Sequence, residues 1–236
     1  MVHDNTGRFG QRPFYTQEEL ELECDGIMRS FLRRRYGEER FPIVTEDLQS
    51  LIEEYADDLD SYADLSDFGD DVEGMTAFFP DRRPSVLISE KLANDSRREN
   101  RLRTTLAHEF GHLYFHHQLW DEKFFVDRLL DRDDLGNKAI CKRDTILETT
   151  HDDWMEWQAG YASGALLMPI SHLRPLIEEV WQSNHLVDPL DLETKPVQAL
   201  IQRIKEQFAV SGDAARVRLL KLNAITDHSS ADFASS

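Results

Sequence analysis

The chain has 236 residues, 40% of them hydrophobic and 31% charged, with a formal net charge of -18 at pH 7. That length and balance suit a globular protein with a sizeable core, whereas the acidity repels phosphate backbones and anionic lipid, so direct binding of nucleic acid or membrane is not expected. No apolar run approaches the ~20 residues that span a bilayer. Met1-Val-His-Asp-Asn-Thr lacks a basic and then apolar signal region, and Cys24 and Cys141 stand far apart without a C-x-x-C pair. The expected address is the cytosol.

In chain order, residues 1–15 are polar with Gly and Pro and read as a flexible N-terminus. Thr16-Gln-Glu-Glu19 forms a capping box, and Leu20, Cys24, Ile27 and Phe31 follow at helical spacing, which predicts a helix over 16–35. Its last turns carry Arg29, Arg33, Arg34 and Arg35, charges suited to the negative end of a helix dipole. After Phe41-Pro42, Thr45 is expected to cap a second helix with Leu48, Leu51, Ile52 and Tyr55 on its apolar face. The acidic run from Asp57 to Glu73 reads as a solvated loop. Two β-type runs, 74–79 and 85–89, flank Pro80-Asp-Arg-Arg-Pro84 and predict a hairpin in a small sheet. An edge of such a sheet can bind an extended substrate backbone.

Ser96-Arg-Arg-Glu99 is a second capping box, opening a predicted helix from Ser96 to about His117 whose core stripe is Leu102, Leu106, Phe110 and Leu113. Within it His108-Glu-Phe-Gly-His112 reads H-E-x-x-H, with two imidazoles for a zinc ion and a carboxylate for its water. Four helical steps bring His112 to within about 40° of His108, one turn further along. Glu109 lies between them in azimuth, where a general base belongs. Gly111 costs about 1 kcal/mol against Ala inside a helix, which makes sense if something approaches closely there.

A third donor has to come from elsewhere. Position 118 is Gln, not the His of a metzincin. His116 follows on the same helix, but its distance from His108, ~12 Å in rise, and the drift of four-residue steps keep three such rings from one tetrahedral ion. A helix from Asp152 or Asp153 to the residue before Pro169 supplies Glu156, one turn before a small-residue face of Ala159, Gly160, Ser163 and Gly164 that lets another helix pack close. His151 and Asp152 are the next candidates.

At this point the residues resemble a known family. Leu102-Arg-Thr-Thr-Leu-Ala-His-Glu-Phe-Gly-His112, followed by Glu156-Trp-Gln-Ala-Gly-Tyr-Ala-Ser-Gly-Ala-Leu-Leu-Met-Pro169, is similar to the ImmA/IrrE metallopeptidases. The stretches Val72-Glu-Gly-Met-Thr-Ala-Phe78, Pro84-Ser-Val-Leu-Ile-Ser89 and Phe208 to Leu219 extend the resemblance over roughly residues 70–222. It implies zinc held by His108, His112 and Glu156, with Glu109 as catalytic carboxylate. It also implies a specific protein substrate, a helix-turn-helix transcriptional repressor cleaved in a stress or mobile-element response. Tyr161 is bulkier than the family pattern has at its position, and the segment from Asp121 to Asp153, with Asp127, Asp131, Asp133, Asp134 and Cys141, reads as an insert, most simply a solvated loop.

Beyond Pro169 three helices are expected: Ser171 to about Ser183, Thr194 to Phe208, and one capped by Ser211. The last two resemble a helix-turn-helix in outline, but neither has a strong basic stripe for DNA, so they are expected to close the core. The expected architecture is an α+β fold, a mostly helical zincin-like domain (16–170) with a small sheet beside the H-E-x-x-H helix, a helical C-terminal region (171–226) and a disordered tail (227–236). Zinc is the expected cofactor, manganese or another divalent ion being able to use the same donors. Tyr114, His116, His117 and His151 are the candidates to stabilise an oxyanion or support the ligands. The rival reading is a non-proteolytic partner protein of a toxin-antitoxin-like pair, its zinc structural.

Overall fold

The computed structural model describes residues 1–129, 138–142, 153–183 and 190–226. In chain order these form β1 (Val2–His3), β2 (Gln11–Arg12), α1 (Gln17–Tyr36), α2 (Thr45–Tyr55), β3 (Asp58–Ala63), β4 (Val72–Ala77), β5 (Ser85–Ser89), α3 (Glu90–Ala93), α4 (Glu99–Leu129), β6 (Lys138–Lys142), α5 (Trp154–Leu167), α6 (Ile170–Ser183), β7 (Leu190–Asp191), α7 (Lys195–Phe208), α8 (Gly212–Lys221) and β8 (Ile225–Thr226). The fold is α+β and mostly helical, with one mixed sheet as its main β element. No helix among the described residues is long and apolar enough to cross a membrane.

The residues gather into two compact units, one of 1–23 and 43–163, the other of 24–42 and 164 onward. In the first, four strands run in the order β3-β5-β4-β6. β4 and β5 are the expected hairpin, antiparallel with Met75 opposite Leu87. On its other side β4 pairs antiparallel with β6, Met75 opposite Ile140.

Two of these strands were not expected. β3 lies within the acidic stretch read as a loop, and it pairs parallel with β5. Asp58, Asp60 and Tyr62 face outward while Leu59, Ser61 and Ala63 turn inward, so its charges lie on the open face of an edge strand, where they discourage further pairing. β6 falls within the presumed insert, which is therefore not wholly a loop. Asp131, Asp133, Asp134 and His151 lie outside the described residues, as does the expected disordered tail, 227–236.

α4 runs twelve residues past the expected end. Leu119 and Trp120 are buried beyond His117 in a cluster with Phe9, Phe78, Trp154 and Met155, with Phe124 packed against it. That apolar contact carries the helix into the stretch expected to open the insert. Helix starts are set as expected at Thr16, whose N–H donates to Glu19 Oε2 and whose hydroxyl accepts from the Glu19 N–H, and at Ser211, which accepts from the Ala214 N–H. Thr45 and Ser96 do not cap. Asp47 instead accepts the Val44 N–H, Thr45 hydrogen-bonds Glu99, and Asp95 accepts the Arg97 N–H.

The N-terminal segment makes specific contacts. Asp4 accepts from the N–H groups of Thr6 and Phe9 and from Trp154 Nε1, and Phe9 meets the rings of Trp120 and Trp154 edge-on. A polar composition did not betray this because one buried carboxylate and one aromatic ring do the anchoring.

In the second unit, Asp25 accepts the Ser171 N–H and hydroxyl at the start of α6. Phe41 packs against His172 and Phe208. α7 and α8 bury Val197, Leu200, Ile204, Phe208 and Leu219, as two helices closing a core should.

Candidate metal centre

The site is built where α4 and α5 cross. α5 starts at Asp153, whose carboxylate accepts the Met155 N–H, and its small face includes Ala159. A Cβ at Gly111 would lie 2.9 Å from the Ala159 Cα, so the glycine is what lets the two backbones meet. That approach brings Glu156 over the histidines.

The donor atoms of these three side chains then converge, within 4.8 Å of one another. His108 Nε2 and Glu156 Oε2 are 3.1 Å apart, as are His112 Nε2 and Glu156 Oε1, and the two Nε2 atoms. Four-coordinate zinc with bonds of 2.0–2.1 Å places neighbouring donors about 3.3 Å apart, so the spacing fits one ion at a common focus. Both histidines are fully buried, while Glu156 keeps 14% of its side chain exposed, which leaves the cluster one open side. Both Nε2 atoms and the carboxylate oxygens face the same point, so in the metal-free state the two rings compete for one carboxylate. A shared cation removes that conflict.

The charges are strongly coupled. Burial by itself would lower His112, but the Glu156 charge and hydrogen bond, with Glu109 and Asp153, raise it above the ordinary histidine value. Burial would likewise raise Glu156, yet His112 and His108 hold it far below the usual carboxylate range.

Glu109 is fully buried under the sheet, its Oε2 accepting from Thr76 Oγ1 at 2.6 Å. A Cβ on Gly74 would fall 2.5 Å from Glu109 Oε1 and 2.8 Å from Thr105 Cγ2. β4 therefore crosses α4 at the motif itself, and Gly74 is the residue that permits it. Neither Gly74 nor Thr76 was legible as a site residue, because only strand register places them over Glu109.

Of the supporting candidates among the described residues, Tyr114, His116 and His117, the structure brings only His116 to the site. Its Nδ1 is 3.1 Å from His112 Nδ1 and its Nε2 3.1 Å from Gln158 Oε1. Burial and then the neighbouring His112 charge hold it well below the usual histidine value. Tyr114 lies elsewhere, donating to Glu23 and stacked with Phe110. His117 lies near Asp121, at 3.4 Å. The reason is azimuth, since positions two and five residues after His112 are about 200° and 140° round the helix. Tyr161, the bulky departure, is buried and donates to Glu21 Oε1 at 2.6 Å.

Comparison with known proteins places the chain in a family. The peptidase family model described as the IrrE N-terminal-like domain matches residues 72–220, which includes β4, β5, β6, the H-E-x-x-H helix and Glu156. No curated protein matches the chain. With well over half its length covered by that model, the chain belongs to the IrrE N-terminal-like family of metallopeptidases.

Proposed function

We propose that the protein is a zinc-dependent endopeptidase that cuts a specific protein substrate, a helix-turn-helix transcriptional repressor, in a cytoplasmic stress or mobile-element response. The converging donors of His108, His112 and Glu156, buried and open on one side, carry this reading. These three residues would hold the ion, manganese being able to use the same donors. When bound, zinc supplies Lewis acidity, which polarises a carbonyl and makes water more acidic.

The remaining chemistry falls to the chain's own groups. Glu109, held at Oε2 by Thr76, takes a proton from the attacking water and returns it to the leaving amine. Burial under β4 keeps its carboxylate from wandering. The net charge of -18 favours a basic partner such as a DNA-binding repressor over nucleic acid itself.

The test is to mix purified protein, zinc and a candidate helix-turn-helix repressor from a neighbouring gene, and to follow fragments by mass. Cleavage by wild type and its loss in Glu109→Gln supports the peptidase. Stable binding without cleavage by wild type, with zinc and with manganese, overturns it in favour of a non-proteolytic partner.

A further inference from the structure

His112, His116 and Gln158 form a linear chain. Each step is 3.1 Å, from His112 Nδ1 to His116 Nδ1 and from His116 Nε2 to Gln158 Oε1. The three side chains are 0–1% exposed. Trp154 stands edge-on against the His116 ring with centroids 5.4 Å apart, and its Nε1 donates to Asp4. The His116 ring is thereby gripped on its face as well as at its ends.

Only one placement of protons satisfies this chain with His112 as an ion ligand. Donation through Nε2 requires a lone pair there, so the His112 hydrogen is on Nδ1. His116 Nδ1 must then accept, its own hydrogen is on Nε2, and that N–H donates to the Gln158 carbonyl. Gln158 cannot reverse its amide without setting N–H against N–H.

We infer that His116 and Gln158 are positioning residues that lock the tautomer and ring orientation of His112. The inference rests on the reading of His112 as a metal ligand. Metal-bound histidines generally donate their other N–H to a buried acceptor, and loss of that acceptor weakens metal binding by about 10–100-fold. A second imidazole as acceptor is unusual only in that it needs an acceptor of its own, which Gln158 supplies. A purely structural role explains the arrangement less well, because two imidazoles buried against each other carry a desolvation cost that a pair of leucines would not.

The test measures zinc affinity by chelator competition on the full chain, with folding checked by circular dichroism. His116→Phe, which keeps the ring and removes the acceptor, is expected to lose about 10–100-fold. His116→Asn, whose Oδ1 falls where Nδ1 was, restores much of that loss, and Gln158→Leu gives a smaller loss of the same kind. In zinc-bound protein labelled with nitrogen-15 histidine, His116 is expected as the Nε2–H tautomer and His112 as Nδ1–H.

Should the phenylalanine variant not fold, the asparagine and leucine variants and the tautomer spectrum decide. Zinc bound by wild type with unchanged affinity in the folded variants, or His116 found as Nδ1–H, overturns this inference alone. Failure of wild type to bind any divalent ion overturns the metal-site reading and this inference with it.

Discussion

A Cβ on Gly111 would lie 2.9 Å from the Cα of Ala159, so α4 and α5 touch backbone to backbone within the H-E-x-x-H motif. The contact determines whether Glu156 can reach His108 and His112. Gly111→Ala would gain about 1 kcal/mol of helix propensity but would force the helices apart, with overpacking costing about 1–3 kcal/mol. The expected outcome is zinc affinity reduced by at least tenfold with a stability change near zero or slightly negative. Chelator competition and chemical denaturation check it, and unchanged affinity would show that the crossing does not set the Glu156 position.

Gly74 controls the same motif from the sheet side. In Gly74→Ala the new methyl collides with Glu109 Oε1 and Thr105 Cγ2, and Thr76→Val removes the hydrogen bond to Glu109 Oε2. Leaving a buried carboxylate short of a partner costs about 1–3 kcal/mol. Both variants are expected to lower turnover of a cleavable substrate while zinc content stays at the wild-type level. Steady-state kinetics and metal analysis separate the two effects.

The histidine–glutamate coupling makes the metal-free protein pH-dependent. Glu156 is lowered from 4.5, so its contribution is present above that value and fades as pH falls. His112 is raised from 6.5, so its contribution is complete below that value and fades as pH rises through the folded value. The stability difference between metal-free wild type and Glu156→Gln is therefore expected to be largest between about pH 4.5 and 6.5. Zinc competes with the proton on His112, so affinity should fall as pH drops into that window. Melting curves across pH, with and without zinc, check both statements.

Glu73 on β4 is nearly buried and ion-paired with Arg98 and Arg101 at the start of α4. Burial would raise its carboxyl, but the two arginines hold it below the usual range. Its stabilisation is present above 4.5 and lost as pH falls below. Because both guanidinium groups are partly exposed, Glu73→Gln is expected to cost about 1–3 kcal/mol, less than a sealed pair would. Denaturant unfolding at pH 7 and at pH 4 should show the difference shrinking in acid.

Local spacing made much of this legible. His108, Glu109 and His112 stand on one helix, where 3.6 residues per turn dictates their relation. Gly111 and the small face of α5 likewise announced a close crossing before it was seen. Tyr114 and His117 stood among the candidates although their azimuths, about 200° and 140° from His112, turn them away from the site. β3 and β6 were not legible, because their strand pairing is non-local and Asp58 and Asp60 mask a strand that needs only one inward face.

By itself the sequence determined the two-histidine motif, the glutamate with a helix to carry it, the capped starts of α1 and α8, and the acidic surface, since each depends on neighbours a few residues apart. Tertiary structure alone decided that the donor atoms of His108, His112 and Glu156 converge within 4.8 Å of one another. It alone placed Thr76 and Gly74 over Glu109 and linked His116 to Gln158 behind His112. Those relations depend on where α4, α5 and β4 cross, and a crossing is set by the packing of side chains distant in the chain.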